Sequence, residues 1–191
     1  MGPLAASGFL TAFASDAVEL DDFDAVVRLH WPAVFRFALA SVRDRDAAET
    51  LTQDCFLHAW RGRGKFRAES TVKTWIMRIA VNLVRDHARN RRLQFWKRAT
   101  AGALDIQTAG ERLADERISS EARIIREERI RAVWNVSGSL PEKQRTAFLL
   151  RFVEDMELLE IAAAMGLREG TVKVHLFRAV QAVRERLGGA Q

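Results

Sequence analysis

Residues 157–187 read ELLEIAAAMGLREGTVKVHLFRAVQAVRERL, and this stretch decides the fold. Two helical patterns, 157–165 and 171–187, flank a short turn holding Gly166, with Ala162, Ala163 and Ala164 where two helices must approach closely. That is the spacing of a helix-turn-helix, whose first helix braces the second against the DNA major groove. An ordinary helical hairpin uses the same residue types, so the faces have to discriminate. At about 100° per residue, Val172, Leu176, Ala179, Val180, Val183 and Leu187 share one side, and Met165 and Leu167 join Val172 and Leu176 in the wedge between the helices. Lys173, Val174, Phe177, Arg178, Gln181 and Arg184 fall on the other side or its margin. A phenylalanine among charges has a use on DNA: its edge packs on a thymine methyl while Lys173 and Arg178 reach guanine edges or phosphates.

Upstream, the chain reads as all-α. Three prolines, eleven glycines and a predominance of Ala, Leu, Arg and Glu leave no sustained strand alternation. Residues 18–40 carry Phe23, Val26, Val27, Val34, Phe35 and Ala38, with Pro32 marking either a break between two short helices or a kink in one. A helix over 46–60 stripes Ala47, Leu51, Cys55 or Phe56, and Ala59, and ends at Gly62 and Gly64. A loop over 61–70 leads to a long helix from Thr71 to about Arg92, with Ser70 as N-cap. Periodicity weakens over 93–120, around Gly102 and Gly110, as in a linker between domains. A helical pattern resumes at Glu121, pauses at Ser137-Gly138-Ser139 and restarts over 141–153, with Pro141 in the first turn.

The 191 residues are 48% hydrophobic and 29% charged, ordinary globular usage that excludes a disordered tail protein and a collagen-like fibre. The single cysteine, Cys55, allows no internal disulfide, and no Cys/His cluster has zinc spacing. An intracellular chain without metal or cofactor, in the cytosol, is therefore expected. No run approaches the ~18 consecutive apolar residues of a membrane span. Residues 1–19 read as a loosely ordered leader, lacking the basic start of a signal peptide.

The net charge of +5 conceals a segregation: residues 1–60 carry −5, residues 61–98 carry +10, and the remainder is nearly balanced. A block of that density repels itself unless it is solvated or faces a polyanion, and nucleic-acid backbones are the commonest soluble polyanion in a cell. Phe66, Trp75, Phe95 and Trp96 lie within it, able to stack on bases or to anchor a core. Along its helix, Val72, Ile76, Ile79, Ala80, Leu83 and His87 form the apolar side, while Thr71, Thr74, Arg78, Asn82, Arg85 and Arg89 line the opposite face with hydroxyl, amide and guanidinium donors. The preceding loop, Lys65 to Ser70, offers Phe66 as a stacking wall for an extruded base.

Four stretches together resemble the extracytoplasmic-function (ECF) sigma factors, group IV of the sigma-seventy family of bacterial transcription initiation factors. They are DAAETLTQDCF (46–56) followed by Ala59-Trp60, FRAES (66–70) with TWIMRIAVN (74–82), LPEKQR (140–145) and EGTVK (169–173). The resemblance implies a leader (1–19), a region 2 helical domain (20–97), a flexible linker (98–124) that threads toward the RNA exit path, and a region 4 helix-turn-helix domain (125–187). It implies core RNA polymerase as partner through Asp46, Glu49, Gln53 and Asp54. Single-stranded −10 promoter DNA would meet Phe66, Arg67, Ala68, Glu69, Ser70, Thr74, Arg78, Ile79, Asn82, Arg85 and Arg89, with one base flipped between Phe66, Ile79 and Asn82. Double-stranded −35 DNA would meet Arg168, Thr171, Lys173, Val174, Phe177 and Arg178. An anti-sigma factor is the further partner that family habit implies. Four departures stand out: Thr50 in place of an acid, Val72 in place of an aromatic, Arg168 in place of a capping Ser, and Val174-His175 in place of Ser-Arg.

Rival functions fare worse. A regulator that binds DNA through the same helix-turn-helix without initiating transcription needs a sensory half, and no alternating strands and helices supply one. A nucleic-acid enzyme needs grouped carboxylates or partnered histidines, whereas His30, His58, His87 and His175 stand apart. A membrane-surface protein needs a basic helix whose apolar face is free, and here that face is needed for the core.

Overall fold

The structure is a computed structural model that describes residues 20–100 and 138–188; the leader, the helical pattern from Glu121 and most of the linker lie outside them. Among the described residues the chain is six α-helices, with no strand.

Helix α1 (Phe23–Val42) starts where Asp22 Oδ1 accepts from the Ala25 amide at 3.0 Å and ends at Arg43, whose left-handed φ of 59° lets its amide reach the Leu39 carbonyl. It is one continuous helix. Pro32 sits on its exposed side, where water can take up the carbonyl that loses its N–H partner. By length and composition α1 could cross a membrane, but Val26, Val34, Phe37 and Ala38 are buried in the bundle while Arg28 and Arg36 face out.

Asp44 caps α2 (Arg45–Gly62), which buries Ala48, Leu51, Thr52, Cys55, Phe56 and Ala59. Cys55 Sγ faces the Ile76 carbonyl at 3.5 Å, and burial pushes its thiol up to about 12, which suits a packed side chain and not a nucleophile. A 3-10 turn (Arg63–Lys65) follows Gly62, so the helical path runs further into the expected loop than the glycines suggest.

Helix α3 (Val72–Thr100) is capped by Thr71 instead of Ser70: Thr71 Oγ1 accepts from the Thr74 amide at 3.1 Å, while Ser70 Oγ turns to the Thr71 carbonyl. It also continues through residues read as the start of the linker. The expected apolar side is present at Val72, Ile76 and Ala80, with Ile79, Leu83 and His87 half-buried. Thr74, Met77, Val81 and Val84 are buried as well, because α3 is covered on more than one side.

The second group of helices is α4 (Glu142–Phe152), α5 (Leu158–Met165) and α6 (Glu169–Gly188). Pro141 sits at the N-cap of α4, one position before the first turn. Glu157 and Glu160 form a reciprocal capping box at the start of α5. Gly166 ends that helix with φ 64°, a conformation a side chain disfavours, and the Leu167 amide then reaches the Ala162 carbonyl at 2.9 Å. One core cluster joins Val34, Phe37, Ile76 and Met77 to Leu149, Leu150, Met156 and Ile161, with α4 packing on α1 and α5 on α3.

Candidate nucleic-acid interface

Helix α6 exposes the residues that were expected to read DNA. Val172 and Ala179 are fully buried and Leu176 and Val180 half-buried, whereas Arg168, Thr171, Lys173, Val174, Phe177 and Arg178 are all exposed. The turn at Gly166 and the wedge of Met165, Leu167, Val172 and Leu176 hold that face outward. Phe177 keeps 66% of its surface in solvent among cations. Lys173 Nζ pairs with Glu169 at 2.6 Å one turn back, which holds the ammonium near the start of the helix. Behind the face, His175 is half-buried with no hydrogen-bond partner for Nδ1 among the described residues. Its pKa is lowered by burial and then by the Lys143 and Arg178 charges.

The second surface lies where α2 runs into the loop and α3. A cavity of about 550 Å³ is lined by His58, Arg61, Gly62, Lys65, Trp75, Ile79, Asn82, Leu83 and Asp86. Of the three expected walls, Ile79 and Asn82 line it and Phe66 does not; Phe66 instead packs on Trp75 at 5.2 Å between ring centroids and stands behind that wall. Ala68, at φ 53°, turns the loop back beside Arg67 and Glu69, which are exposed and 3.9 Å apart, and Ser70 is half-buried. Arg78, Arg85 and Arg89 make an exposed cationic ridge along α3, with Arg89 paired to Asp86 at 3.3 Å. Thr74 departs from this face: it is 2% exposed and donates to Glu160 Oε1 on α5 at 3.2 Å.

Trp75, read in sequence as able to stack on bases or to anchor a core, lines the cavity, and so do His58, Arg61, Gly62, Lys65, Leu83 and Asp86, which were not among the residues expected to meet the strand. Trp75, Ile79, Asn82 and Asp86 recur on successive turns of α3, a spacing readable in sequence, but His58 and Lys65 reach the cavity only because α2 and α3 pack together.

On α2, Asp46 and Gln53 are exposed and Glu49 and Asp54 half-buried, with Glu49 3.4 Å from Arg45. The same side continues into Leu57 (43% exposed) and Trp60 (45% exposed), a pair of large apolar groups in water. Arg63 lies 3.4 Å above the Trp60 ring, whose edge meets Phe23. An acidic patch ending in exposed apolar groups is suited to a basic protein surface.

The family model for sigma-70 region 2 matches residues 26–94, and that for sigma-70 region 4 matches residues 130–183. The chain is 32% identical over 167 residues to the RNA polymerase sigma-H factor of Pseudomonas aeruginosa, covering 86% of each chain. It is 33% identical over 136 residues to the ECF RNA polymerase sigma-E factor of Escherichia coli K12, covering 70% of each. Its fold is similar to that of the sigma factor RpoE of Bartonella quintana, solved in complex with the anti-sigma factor NepR. That similarity has a TM-score of 0.68 at 23% identity and covers 89% of this chain and 99% of the other. A helix-turn-helix with an exposed face of cations and an aromatic ring, a basic helix beside a cavity, and kinship along most of the sequence converge on one conclusion: this chain belongs to the sigma-70 family, as an ECF sigma factor.

Proposed function

We propose that this sigma factor uses its two DNA surfaces in sequence. Helix α6 reads the double-stranded −35 element through Arg168, Thr171, Lys173, Val174, Phe177 and Arg178, and the loop and α3 then hold the unpaired −10 strand. Arg67, Arg78, Arg85 and Arg89 follow the phosphates, Ala68, Glu69 and Ser70 shape the entrance, Phe66 backs the Trp75 wall, and Thr74, covered by α5, is left out of the contact. One base leaves the stack for the cavity, where Trp75 and Ile79 offer flat and apolar walls and Asn82 a polar edge. Capture and stacking offset the few kcal/mol of unstacking per step, so melting proceeds without ATP.

Asp46, Glu49, Gln53 and Asp54 dock on core RNA polymerase, and Leu57 and Trp60 extend that contact. The domains act as units over 20–97 and 125–187. The chain works in the cytoplasm as a binding protein and not as an enzyme, with an anti-sigma factor as its antagonist, as the complex of its structural neighbour suggests. The observation that supports this reading best is the exposure of all six −35 candidates on α6 in a chain whose basic helix borders a cavity open to a base.

The test combines the purified chain, core RNA polymerase and a randomised promoter library, with the transcripts sequenced. Start sites downstream of one two-part element are expected. Transcription no better than with core polymerase alone would reject the reading.

A further inference from the structure

Helices α4 and α6 meet through an apolar cluster of Leu140, Phe148, Ala179 and Val183. His175 lies one turn ahead of Ala179 on α6, on the margin between that buried seam and the exposed face that carries Arg178. The seam gives its ring no partner. Nδ1 is buried and has no hydrogen bond among the described residues, which leaves Nε2 as the nitrogen a ligand can reach.

Two cations border the ring: Lys143, exposed in the first turn of α4, and Arg178, exposed on α6 itself. The carboxylates on the neighbouring elements are committed elsewhere. Glu142 acts on Arg145 of its own helix, Glu157 pairs with Arg151, Glu160 takes the Glu157 amide, and Glu169 takes Lys173. A half-buried imidazole between two positive charges gains nothing from them, and burial followed by Lys143 and Arg178 holds its pKa below the usual 6.5. An anionic oxygen on Nε2 would reverse that balance, since it would attract all three groups at once.

We propose that Lys143, His175 and Arg178 clamp a single backbone phosphate of the −35 duplex, and that His175 takes up a proton from solvent as the phosphate arrives. The inference deepens the assignment of that duplex to α6 and rests on it. Protonated His175 donates from Nε2 to a phosphate oxygen, while the flexible Lys143 and Arg178 side chains neutralise the rest of the charge from α4 and α6. Such a contact carries no base information; it fixes how α6 sits in the groove. The sign of the pH dependence follows. In the free chain the ring is neutral above its lowered value, and in the complex the phosphate raises that value, so binding takes up a proton between the two. Affinity therefore falls as the pH rises through this window and levels off above the bound value, where the ring stays neutral.

The test uses the full chain and a −35 duplex recovered from the promoter selection, titrated by fluorescence anisotropy at fixed ionic strength from about pH 5.5 to about pH 8. The parent should lose about tenfold in affinity across this range, the consequence of a one-unit rise in the His175 pKa on binding. His175→Asn should bind at every pH as the parent does at the alkaline end, and His175→Arg as the parent does at the acid end. Lys143→Gln, at an exposed position, should weaken binding throughout and lower the salt slope by about one phosphate contact. Thermal melts at the alkaline end confirm that each variant is folded. Proton magnetic resonance of the His175 ring, assigned by its absence from His175→Asn, should show the higher titration in the complex, and a methylphosphonate at one position of the duplex should remove the pH dependence. A pH dependence that persists in His175→Asn, a ring titration that the duplex does not move, or a dependence that survives methylphosphonate at every position overturns the clamp even though the duplex binds. Failure of every form to bind the duplex places the fault in the α6 assignment instead.

Discussion

Replacing Phe177 by Ala separates a reading side chain from a structural one. The ring keeps 66% of its surface exposed in the free chain, so truncation removes little packing and should change stability by no more than about 0.5 kcal/mol. Fully burying a phenylalanine gains roughly 1.5–3 kcal/mol; two thirds of that, about 1–2 kcal/mol, remains to be gained against a thymine methyl or a sugar. Loss of that contact should weaken binding to the −35 duplex about 5- to 30-fold. Fluorescence anisotropy with a labelled −35 duplex at fixed salt reads the affinity, a thermal melt reads the stability, and co-purification with core RNA polymerase reads the partner contact. Val172→Ala, at a fully buried position of the same helix, is the contrast: about 2 kcal/mol of stability should be lost with a matching fall in Tm. If Phe177→Ala melts like Val172→Ala, or binds the duplex as well as the parent, the ring serves the fold or nothing, and the assignment of this face is wrong.

Three further outcomes follow from the same geometry. Trp75→Leu keeps much of the local volume but removes the flat wall of the cavity, and should lower affinity for the −10 strand by about 1–3 kcal/mol while leaving −35 duplex binding unchanged; equal loss at both would point to unfolding. Gly166→Ala meets no steric neighbour, so its effect is that of the left-handed backbone alone, about 1–2 kcal/mol, and Gly166→Asn should lose less in the same thermal melt. His87 and His175 both have lowered pKa values, mainly through burial, so the unfolded chain binds protons more readily than the folded one. Stability should therefore be complete above about pH 6.5 and fall as the pH drops through the folded values, and His175→Asn should flatten the decline of Tm with pH; an unchanged slope would remove His175 as a contributor.

The extent to which the sequence foretells the molecule depends on whether a feature is local. Helix positions, the wedge around Gly166 and the exposed face of α6 follow from periodicity, because Val172 and Ala179 turn inward on the same helix that turns Lys173 and Phe177 outward. The stripe of α3 is legible only in part. Periodicity marks Val72, Ile76 and Ala80 as apolar, yet Thr74 and Val81 look indifferent until a second layer covers them. Ser70 and Thr71 are both plausible caps in sequence, and the loop geometry alone hands the Thr74 amide to Thr71.

What the residues determined unaided is therefore an all-α chain with a helix-turn-helix and a separately charged basic helix, since 3.6-residue periodicity, turn chemistry and net charge are properties of short segments. Tertiary structure alone decided that His58 and Lys65 share a cavity with Asn82, and that Arg36 meets a carboxylate 118 positions away. The physical reason is that a helix face records only how apolar it is. Which surface arrives to cover it is settled by packing between segments whose contacts no local pattern encodes.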